Sequence, residues 1–202
     1  MIDYNKFVDF SPTDYADGLS RDRFVNPEIR ALWSNMMRIS GRAYTVEVPA
    51  GDSLMMHAAV YDAPPGAIIV AQTNGSDVAV VGGNVCAIAQ KRGIAGFIID
   101  GLVRDISEIR ELQFPVYAKG IIPKPSHKKH VGAINPKIVC GGVKVSSGDI
   151  IVADEEGIAV IPLTNAEHFY QTAKHRADSD SLINIEQWEA IHHAKIMQLL
   201  LT

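Results

Sequence analysis

The sequence predicts an α/β fold whose first half alternates strands with helices and whose second half is rich in strands. Between residues 42 and 120, apolar strand-like runs alternate with segments of helical spacing, which is typical of α/β units. From Lys137 onward, short apolar runs are separated by glycine-containing turns, as in β-hairpins. The chain has 202 residues, 47% of them hydrophobic, and no linker or low-complexity tract divides it. We therefore expect a single domain over residues 1–202 that ends in a helical tail.

Charge and composition argue against several classes of protein. The formal net charge is −4 and the charged residues are mixed along the chain, so no basic surface for nucleic acid is indicated. No apolar run approaches the roughly 18 residues that cross a membrane, and the N-terminus lacks a signal-peptide pattern. Cys86 and Cys140 have no metal-site spacing and are interpreted as reduced packing residues. These observations predict a soluble, cytoplasmic protein that binds neither nucleic acid nor membranes.

Two helices are predicted before the first strand. Residues 13–20 are typical of a short helix, in which Asp17 is interpreted as a local cap or ion pair, or as a residue that faces a ligand. Asn26 and Pro27 supply the N-cap and first position of a second helix, predicted through about Ile39 and closed by Gly41. Both helices would precede the sheet.

A strand and a helix are predicted next. Alternating apolar residues over 42–48 indicate a strand, and Asp52 with Ser53 would cap the helix that follows it. Residues 67–71 are predicted as the following strand, after a proline-rich turn. These elements form the first repeat of the α/β pattern.

The stretch from Gly82 to Gly120 carries the strongest functional pattern. Gly82 and Gly83 end an apolar run and open a short helical segment, so backbone N–H groups there can face an anion at a helix N-terminus. Gly93 ends that helix, and residues 96–100 predict a strand buried on both faces. The loop beyond this strand is where open α/β sheets place ligands, and it contains Arg104 and Asp105.

Arg104 and Asp105 each have two interpretations. With Glu108, Asp105 fits a capping box for a helix through Leu112, but its carboxylate also suits a metal ligand or a catalytic group. Arg104 fits either a surface ion pair or the bidentate binding of a substrate carboxylate. The residue pattern leaves these alternatives open.

The remaining segments are a basic loop, a hairpin and two helices. Residues 123–130 are basic and are interpreted as solvated or as a contact for an anionic substrate; His127 and His130 lack the neighbouring ligands of a zinc site. Residues 150–161 predict a hairpin, and residues 164–167 a capping box for a helix to about 177. A last helix from about 183 has an apolar stripe that predicts contact with a neighbouring subunit. The residues of this stripe are Ile185, Trp188, His192, Ile196 and Leu199.

The residues from Gly82 to Ile109, in the pattern GGNxxAxAxxRGxxGxxxDGxVRDxxEI, resemble a known family. Together with residues 114–120, they resemble the class II 4-hydroxy-4-methyl-2-oxoglutarate/4-carboxy-4-hydroxy-2-oxoadipate aldolases and the regulator of ribonuclease activity A. The similarity extends from about Tyr15 to Pro162, which is most of the chain. It implies a layered α/β/β fold similar to the swivelling phosphohistidine domain. It also implies a homotrimer, or a hexamer built from two trimers, with sites at subunit interfaces.

The resemblance also implies an activity and roles for individual residues. The activity is that of a divalent-metal-dependent lyase, which cleaves a 4-hydroxy-2-oxo acid by a retro-aldol reaction and releases pyruvate. Decarboxylation of oxaloacetate would proceed through the same enolate. Asp105 would hold Mg²⁺ or Mn²⁺, and Arg104 would bind the carboxylate of the 2-oxo acid. The backbone at Gly82, Gly83, Asn84 and Val85 would complete the substrate site.

One departure from the family pattern supports a second expectation. The aldolases carry a carboxylate directly after the first glycine, where this chain has Gly83. In family members a C-terminal Glu of the adjacent subunit can act as the base, but this tail does not match it, and the sequence assigns no base. The alternative is a non-catalytic regulator that binds a ribonuclease or another protein. Arg104 and Asp105 favour chemistry, whereas Gly83 favours the regulator.

Overall fold

The computed structural model describes residues 4–75 and 77–201, which form a seven-stranded mixed sheet, a separate two-stranded sheet and flanking helices. The strands are β1 (Arg30–Ala31), β2 (Ile39–Glu47), β3 (Ile68–Gln72), β4 (Gly96–Val103), β5 (Val116–Ile121), β6 (Ile138–Cys140), β7 (Val143–Val145), β8 (Ile150–Asp154) and β9 (Gly157–Ile161). The α-helices are α1 (Leu54–Asp62), α2 (Gly83–Lys91), α3 (Ile106–Glu111), α4 (Ala166–Ser181) and α5 (Ile185–Leu200).

The large sheet has a parallel centre and antiparallel edges. Its strand order is β1-β5-β4-β3-β2-β8-β9, in which β2, β3, β4 and β5 run parallel. Helices α1, α2 and α3 connect these four strands in turn. Strands β1, β8 and β9 pair antiparallel to their neighbours. The carboxyl ends of the four parallel strands therefore meet at one edge of the sheet, where α/β proteins usually bind ligands.

Alternating side chains of the central strands build two cores on opposite faces of the sheet. Ile69 and Ile99 pack in the core that contains α1 and α2. Ile68 and Ile98 face the other way and pack against the β6–β7 hairpin. This arrangement of helices, sheet and hairpin confirms the predicted α/β class with its layered α/β/β order.

A third core joins the N-terminal segment and α4 to β8 and β9. Phe7 and Tyr15 are fully buried there beside Ala173 of α4. On its surface, Nη1 of Arg176 donates to Oδ1 of Asp17 at 2.6 Å. The interpretation of Asp17 as part of an ion pair is confirmed.

The helix predicted over residues 26–39 is wrong. Oδ1 of Asn26 accepts a hydrogen bond from the Glu28 N–H at 2.9 Å, which forms a local turn instead of a helix start. Strand β1 then pairs with β5, and β2 already begins at Ile39. The apolar residues of this segment pack into two different cores, with Leu32 on the helix side and Met36 on the hairpin side. Their spacing therefore imitates a helix without forming one.

Other predicted elements are present with different boundaries. The N-terminal helix is reduced to a single 3-10 turn over Asp14–Asp17. Strand β4 continues past Asp100 to Val103, and its pairing with β5 shifts between Ile99 and Leu102. Helix α4 is present, but its N-cap is Asn165 instead of Thr164, and the Asn165 side chain makes no capping hydrogen bond. The predicted hairpin is confirmed as β8 and β9.

The C-terminal helix α5 has no buried residue. It begins after Asn184, which forms a reciprocal capping box with Gln187. The predicted stripe lies on its surface, where the rings of Trp188 and His192 stack with their centroids 4.4 Å apart. Within residues 4–75 and 77–201, no helix combines the length and the apolar composition needed to cross a bilayer.

Candidate active site

A cleft of about 80 Å³ lies at the edge of the sheet where the parallel strands end. Each of the four parallel strands is followed by a segment that contributes one wall of this cleft. In chain order, the lining residues are Ser53, His57, Ala79, Val80, Val81, Gly82, Asn84, Val85, Arg104, Asp105, Pro125, Ser126 and Lys128. The structure thus places Arg104, Asp105, Gly82, Asn84 and Val85 around one cavity, as the position beyond the strand ends predicts.

The segment between β3 and α2 is held by backbone hydrogen bonds to two neighbouring segments. The Val80 N–H donates to the Leu102 carbonyl at 3.0 Å, and the Arg104 N–H donates to the Val81 carbonyl at 3.0 Å. On the other side, the Ala79 N–H donates to the Lys124 carbonyl at 2.9 Å. Three walls of the cleft are therefore fixed relative to one another by the main chain.

Asp105 directs its carboxylate at the N-terminus of α2. Its backbone is left-handed, with φ of 60°, and Oδ2 accepts a hydrogen bond from the Gly83 N–H at 3.1 Å. Oδ2 also lies 3.4 Å from Nε of Arg104. The carboxylate makes no hydrogen bond to the N–H groups of its own helix, so the capping-box interpretation is wrong. A left-handed backbone at a non-glycine residue is uncommon, and such residues cluster at functional sites.

Gly82 is required by the close approach of this Arg-Asp pair. A Cβ at position 82 would lie 2.2 Å from Oδ2 of Asp105 and 3.1 Å from Nε of Arg104. Such a contact with the carboxylate is far shorter than van der Waals distance, so any side chain here would displace Asp105. Glycine at position 82 therefore permits the contact between Asp105 and α2.

The first turn of α2 has one backbone donor available. The Gly83 N–H is bound by Asp105, and the Val85 N–H donates to the Gly82 carbonyl at 3.1 Å. The Asn84 N–H has no hydrogen-bond partner among the residues that the structure describes. Because Asn84 lines the cleft, this N–H and the positive end of the helix dipole are placed to attract an anion.

Gly83 lies against a second carboxylate. A Cβ at position 83 would lie 1.9 Å from Oε2 of Glu108, so the space that a side chain there would fill is occupied by Glu108. Glu108 belongs to α3 and lines the surface beyond Gly83 with Glu111. The missing side chain at position 83 thus coincides with a carboxylate supplied from α3.

Asp52 fixes the basic loop beside the cleft. This fully buried carboxylate accepts hydrogen bonds from the N–H groups of Leu54 (2.8 Å), Lys129 (2.7 Å) and His130 (3.0 Å), and contacts Nδ1 of His130 at 3.2 Å. Burial alone would raise the pKa of Asp52, but these hydrogen bonds outweigh burial and lower the pKa well below its ordinary value. The loop is thereby held with Lys128 at the cleft, and not free in solvent.

The charges around the cleft are mainly positive. Arg104 and Lys128 contribute cationic side chains, and α2 contributes its N-terminus. Asp105 is the one carboxylate in the described lining. Burial, followed by the charge of Lys128, lowers the pKa of the half-buried His57. A small anion is the ligand that this potential favours.

Comparison with known protein families shows which family this chain belongs to. Residues 13–160 match the RraA-like family, described as Aldolase/RraA. The chain belongs to this family. A Halalkalibacterium halodurans protein named "Putative 4-hydroxy-4-methyl-2-oxoglutarate aldolase" is 38% identical over 169 residues, covering 83% of this chain and 79% of that protein.

Solved structures show the same relationship. The RNA-processing inhibitor RraA from Thermus thermophilis is 27% identical with a TM-score of 0.68, covering 75% of this chain and 92% of its own. An uncharacterized protein from Pseudomonas syringae pv. tomato shares the fold at 22% identity, with a TM-score of 0.76 over 90% of this chain and 89% of its own. The resemblance identified from the sequence is confirmed, and the RraA-like segment includes every residue of the cleft.

The RraA-like cleft offers one carboxylate to a metal ion. Within residues 4–75 and 77–201, no three His, Cys, Asp or Glu side chains come together as a ligand group. This excludes a closed zinc-type centre from the described residues. Mg²⁺ keeps several waters and is often held by one or two carboxylates together with oxygens of the substrate. The hard oxygens of Asp105, about one third exposed in the cleft, fit that donor set.

Sequence reasoning did not name several residues of the RraA-like cleft as site residues, among them Ser53, His57, Ser126 and Lys128. Ser53 was interpreted as a cap, and Ser126 and Lys128 lie in the 123–130 loop, which was interpreted as solvated or as a contact for an anionic substrate. His57 was not singled out. All four follow β2 or β5, the parallel strands that flank β3 and β4. The rule that parallel strands end at one edge was the signal available, but it requires the strand order, which the sequence does not state.

Proposed function

We propose that this RraA-like protein is a divalent-metal-dependent lyase that cleaves a 4-hydroxy-2-oxo acid by a retro-aldol reaction and releases pyruvate. The observation that carries the proposal is the Arg104–Asp105 pair at the N-terminus of α2. In the cleft, Nε of Arg104 lies 3.4 Å from Oδ2 of Asp105. The aldolase name of the relative that is 38% identical supports the same reaction class.

Arg104 has unoccupied hydrogen-bond donors that can bind the substrate carboxylate. Its Nε faces Asp105, while its two Nη atoms form no hydrogen bond or ion pair within the described part of the chain. These two donors can bind a carboxylate in a bidentate manner, and the Asn84 N–H adds a third donor from α2. The contact with Asp105 restrains the guanidinium plane, so the 2-oxo acid would be held in one orientation.

Asp105 would hold Mg²⁺ or Mn²⁺ next to the bound 2-oxo group. When bound, such an ion supplies positive charge that stabilises the enolate left after bond cleavage. The chain's own contribution is to fix the carboxylate through the Gly83 N–H and to hold Arg104 beside it. Because oxaloacetate decarboxylation generates the same enolate of pyruvate, we propose this as a second reaction of the site.

The test is a panel of 4-hydroxy-2-oxo acids and oxaloacetate, assayed for pyruvate release with Mg²⁺ or Mn²⁺. The proposal expects release that requires the ion and stops when EDTA removes it. Absence of release from every substrate with either ion would overturn the proposal.

Buried thiols at Cys86 and Cys140 support a reducing, cytoplasmic location for this chemistry.

A second candidate function is a non-catalytic regulator that binds another protein. The exposed apolar face of α5 and the likeness to the RNA-processing inhibitor favour it. Calorimetry separates the two candidates, since a lyase should bind Mg²⁺ with measurable heat when oxalate is present. A regulator without a metal site should show no heat that depends on the ion.

A further inference from the structure

His57 presents an unpaired imidazole to the cleft. It lies in the second turn of α1, where its backbone N–H donates to the Ser53 carbonyl at 3.2 Å. The side chain is half-buried and lines the same cavity as Arg104 and Asp105. Its ring forms no hydrogen bond or ion pair with any residue in 4–75 or 77–201. A half-buried imidazole without a partner is open to a ligand.

The other titratable side chains of the described lining are either cationic or already paired. Arg104 and Lys128 are cationic and cannot accept a proton. The Asp105 carboxylate receives the Gly83 N–H and the Arg104 guanidinium. Glu108 lies beyond Gly83 and is not part of the cleft wall. His57 is thus the group in the described lining that combines proton affinity near neutral pH with an unoccupied acceptor nitrogen.

We propose that His57 is the catalytic base that accepts the proton of the substrate's C4 hydroxyl during carbon–carbon bond cleavage. This inference rests on the proposed lyase function. The hydroxyl proton moves to an imidazole nitrogen, the C4–O bond becomes a carbonyl, and the C3–C4 bond breaks. The electron pair of that bond moves to C3, giving the enolate of pyruvate, which then takes a proton at C3. No oxidant or reductant is required.

The surroundings of His57 suit a base that must be neutral before the reaction. Burial, followed by the charge of Lys128, lowers the pKa of His57, which favours the neutral form of the ring. Arg104 in the same cleft adds positive charge, and Asp105 adds negative charge beside Arg104. The imidazolium formed in the reaction would therefore lose its proton readily to solvent, which returns His57 to its neutral form.

The test compares two reactions that differ in the need for this base. Retro-aldol cleavage removes a hydroxyl proton, whereas decarboxylation of oxaloacetate forms the same enolate without one. In His57→Gln, cleavage should fall by about 10²-fold or more, while oxaloacetate decarboxylation and oxalate inhibition stay at wild-type values. His175→Gln on α4, an exposed histidine outside the cleft, is the matched control and should leave both reactions unchanged.

The pH profile gives a second readout that a packing role would not change. Wild-type kcat/KM for cleavage should fall on acidification as His57 becomes protonated, and this limb should be absent from the residual activity of His57→Gln. His57→Asn serves as a second variant, with thermal melting to establish folding. Equal loss of both reactions in a folded variant, or cleavage at the wild-type rate, would overturn the assignment. A wild-type protein that releases no pyruvate from any substrate would instead overturn the proposed function.

Discussion

The carboxylate of Glu108 occupies the space that the first side-chain atom of residue 83 would need. Oε2 of Glu108 would lie 1.9 Å from a Cβ at Gly83, and the Glu108 Cβ would lie 2.9 Å from it. A side chain at position 83 and Glu108 in its present place are therefore mutually exclusive. Position 83 carries no side chain here, and the space beside it on the surface of α2 is filled by an acid from α3.

Gly83→Ala should destabilise the protein because α3 must move to relieve these contacts. We expect a loss of about 1–3 kcal/mol, as in other overpacked sites. Glu108→Ala should recover much of that loss when combined with Gly83→Ala, since it removes the 1.9 Å contact and keeps only the Cβ contact. Gly120→Ala is the control, because its Cβ would meet Leu102 at an ordinary 3.4 Å. Denaturant unfolding of the four variants measures the coupling, and additive effects would contradict the steric explanation.

Asp105→Asn should preserve the fold and abolish metal-dependent activity. Asn tolerates the left-handed backbone and retains an oxygen that can accept the Gly83 N–H, so stability should change by less than about 1 kcal/mol. The loss of negative charge should remove binding of Mg²⁺, measured by calorimetry with oxalate present. Asp105→Ala should be the less stable variant. Full activity in Asp105→Asn would refute the role in metal binding.

Arg104→Lys should lower turnover by about 10²-fold or more because it keeps the charge but loses the planar fork. A point charge does not hold a carboxylate in one orientation, so oxalate inhibition should weaken together with pyruvate release. Arg110→Lys, on the exposed side of α3, provides the control for the same exchange outside the cleft. Near-normal release and inhibition in Arg104→Lys would indicate a surface ion pair only.

Asp52→Asn should destabilise the protein at neutral pH and much less in acid. The pKa of Asp52 is depressed in the folded state, so its stabilising contribution is present above its ordinary value of 3.8 and is lost as the pH falls below it. We expect a loss of about 1–3 kcal/mol at pH 7, because the buried acceptor of the 127–130 loop is impaired. Unfolding at pH 7 and pH 3 checks this. Asp178→Asn, an exposed pair with Lys174, should show no such pH dependence.

The apolar surface of α5 predicts an oligomer, and the resemblance to the family specifies a trimer or its multiple. Trp188 is 49% exposed and Ile196 is 38% exposed, although both have large apolar side chains. Light scattering at micromolar concentration should report three or six chains. Trp188→Asp with Ile196→Asp should shift the distribution toward smaller species. A wild-type monomer would remove the argument for an interfacial site.

Local patterns predicted the elements that carry a clear sequence signal of their own. Strand β4 is apolar on both faces and α2 lies between two glycine signals, so both were recognisable without tertiary information. The segment before β2 was misassigned because its apolar residues pack into two different cores. The spacing of apolar residues in the sequence does not show which core each one joins.

The candidate site was predictable where it depends on one loop and not where it depends on several. Arg104 and Asp105 follow a single strand, so the sequence located both. The direction of the Asp105 carboxylate goes with the left-handed backbone of this residue, which the residue pattern does not reveal because it fits a capping box equally well. His57 and Lys128 reach the cleft only because β2 and β5 lie beside β3 and β4. That order is a property of the assembled sheet.

The cleft is built from the segments that follow four different strands, so ligand binding is linked to the unfolding equilibrium of the whole sheet. An occupant that bridges α1 and the segment after β4 would be released by any opening that separates these elements. Its binding free energy would thus favour the intact native state over each partly opened form. Amide hydrogen exchange deep in β3, far from the ligand itself, would slow by the same factor as exchange at the cleft whenever both proceed through that opening.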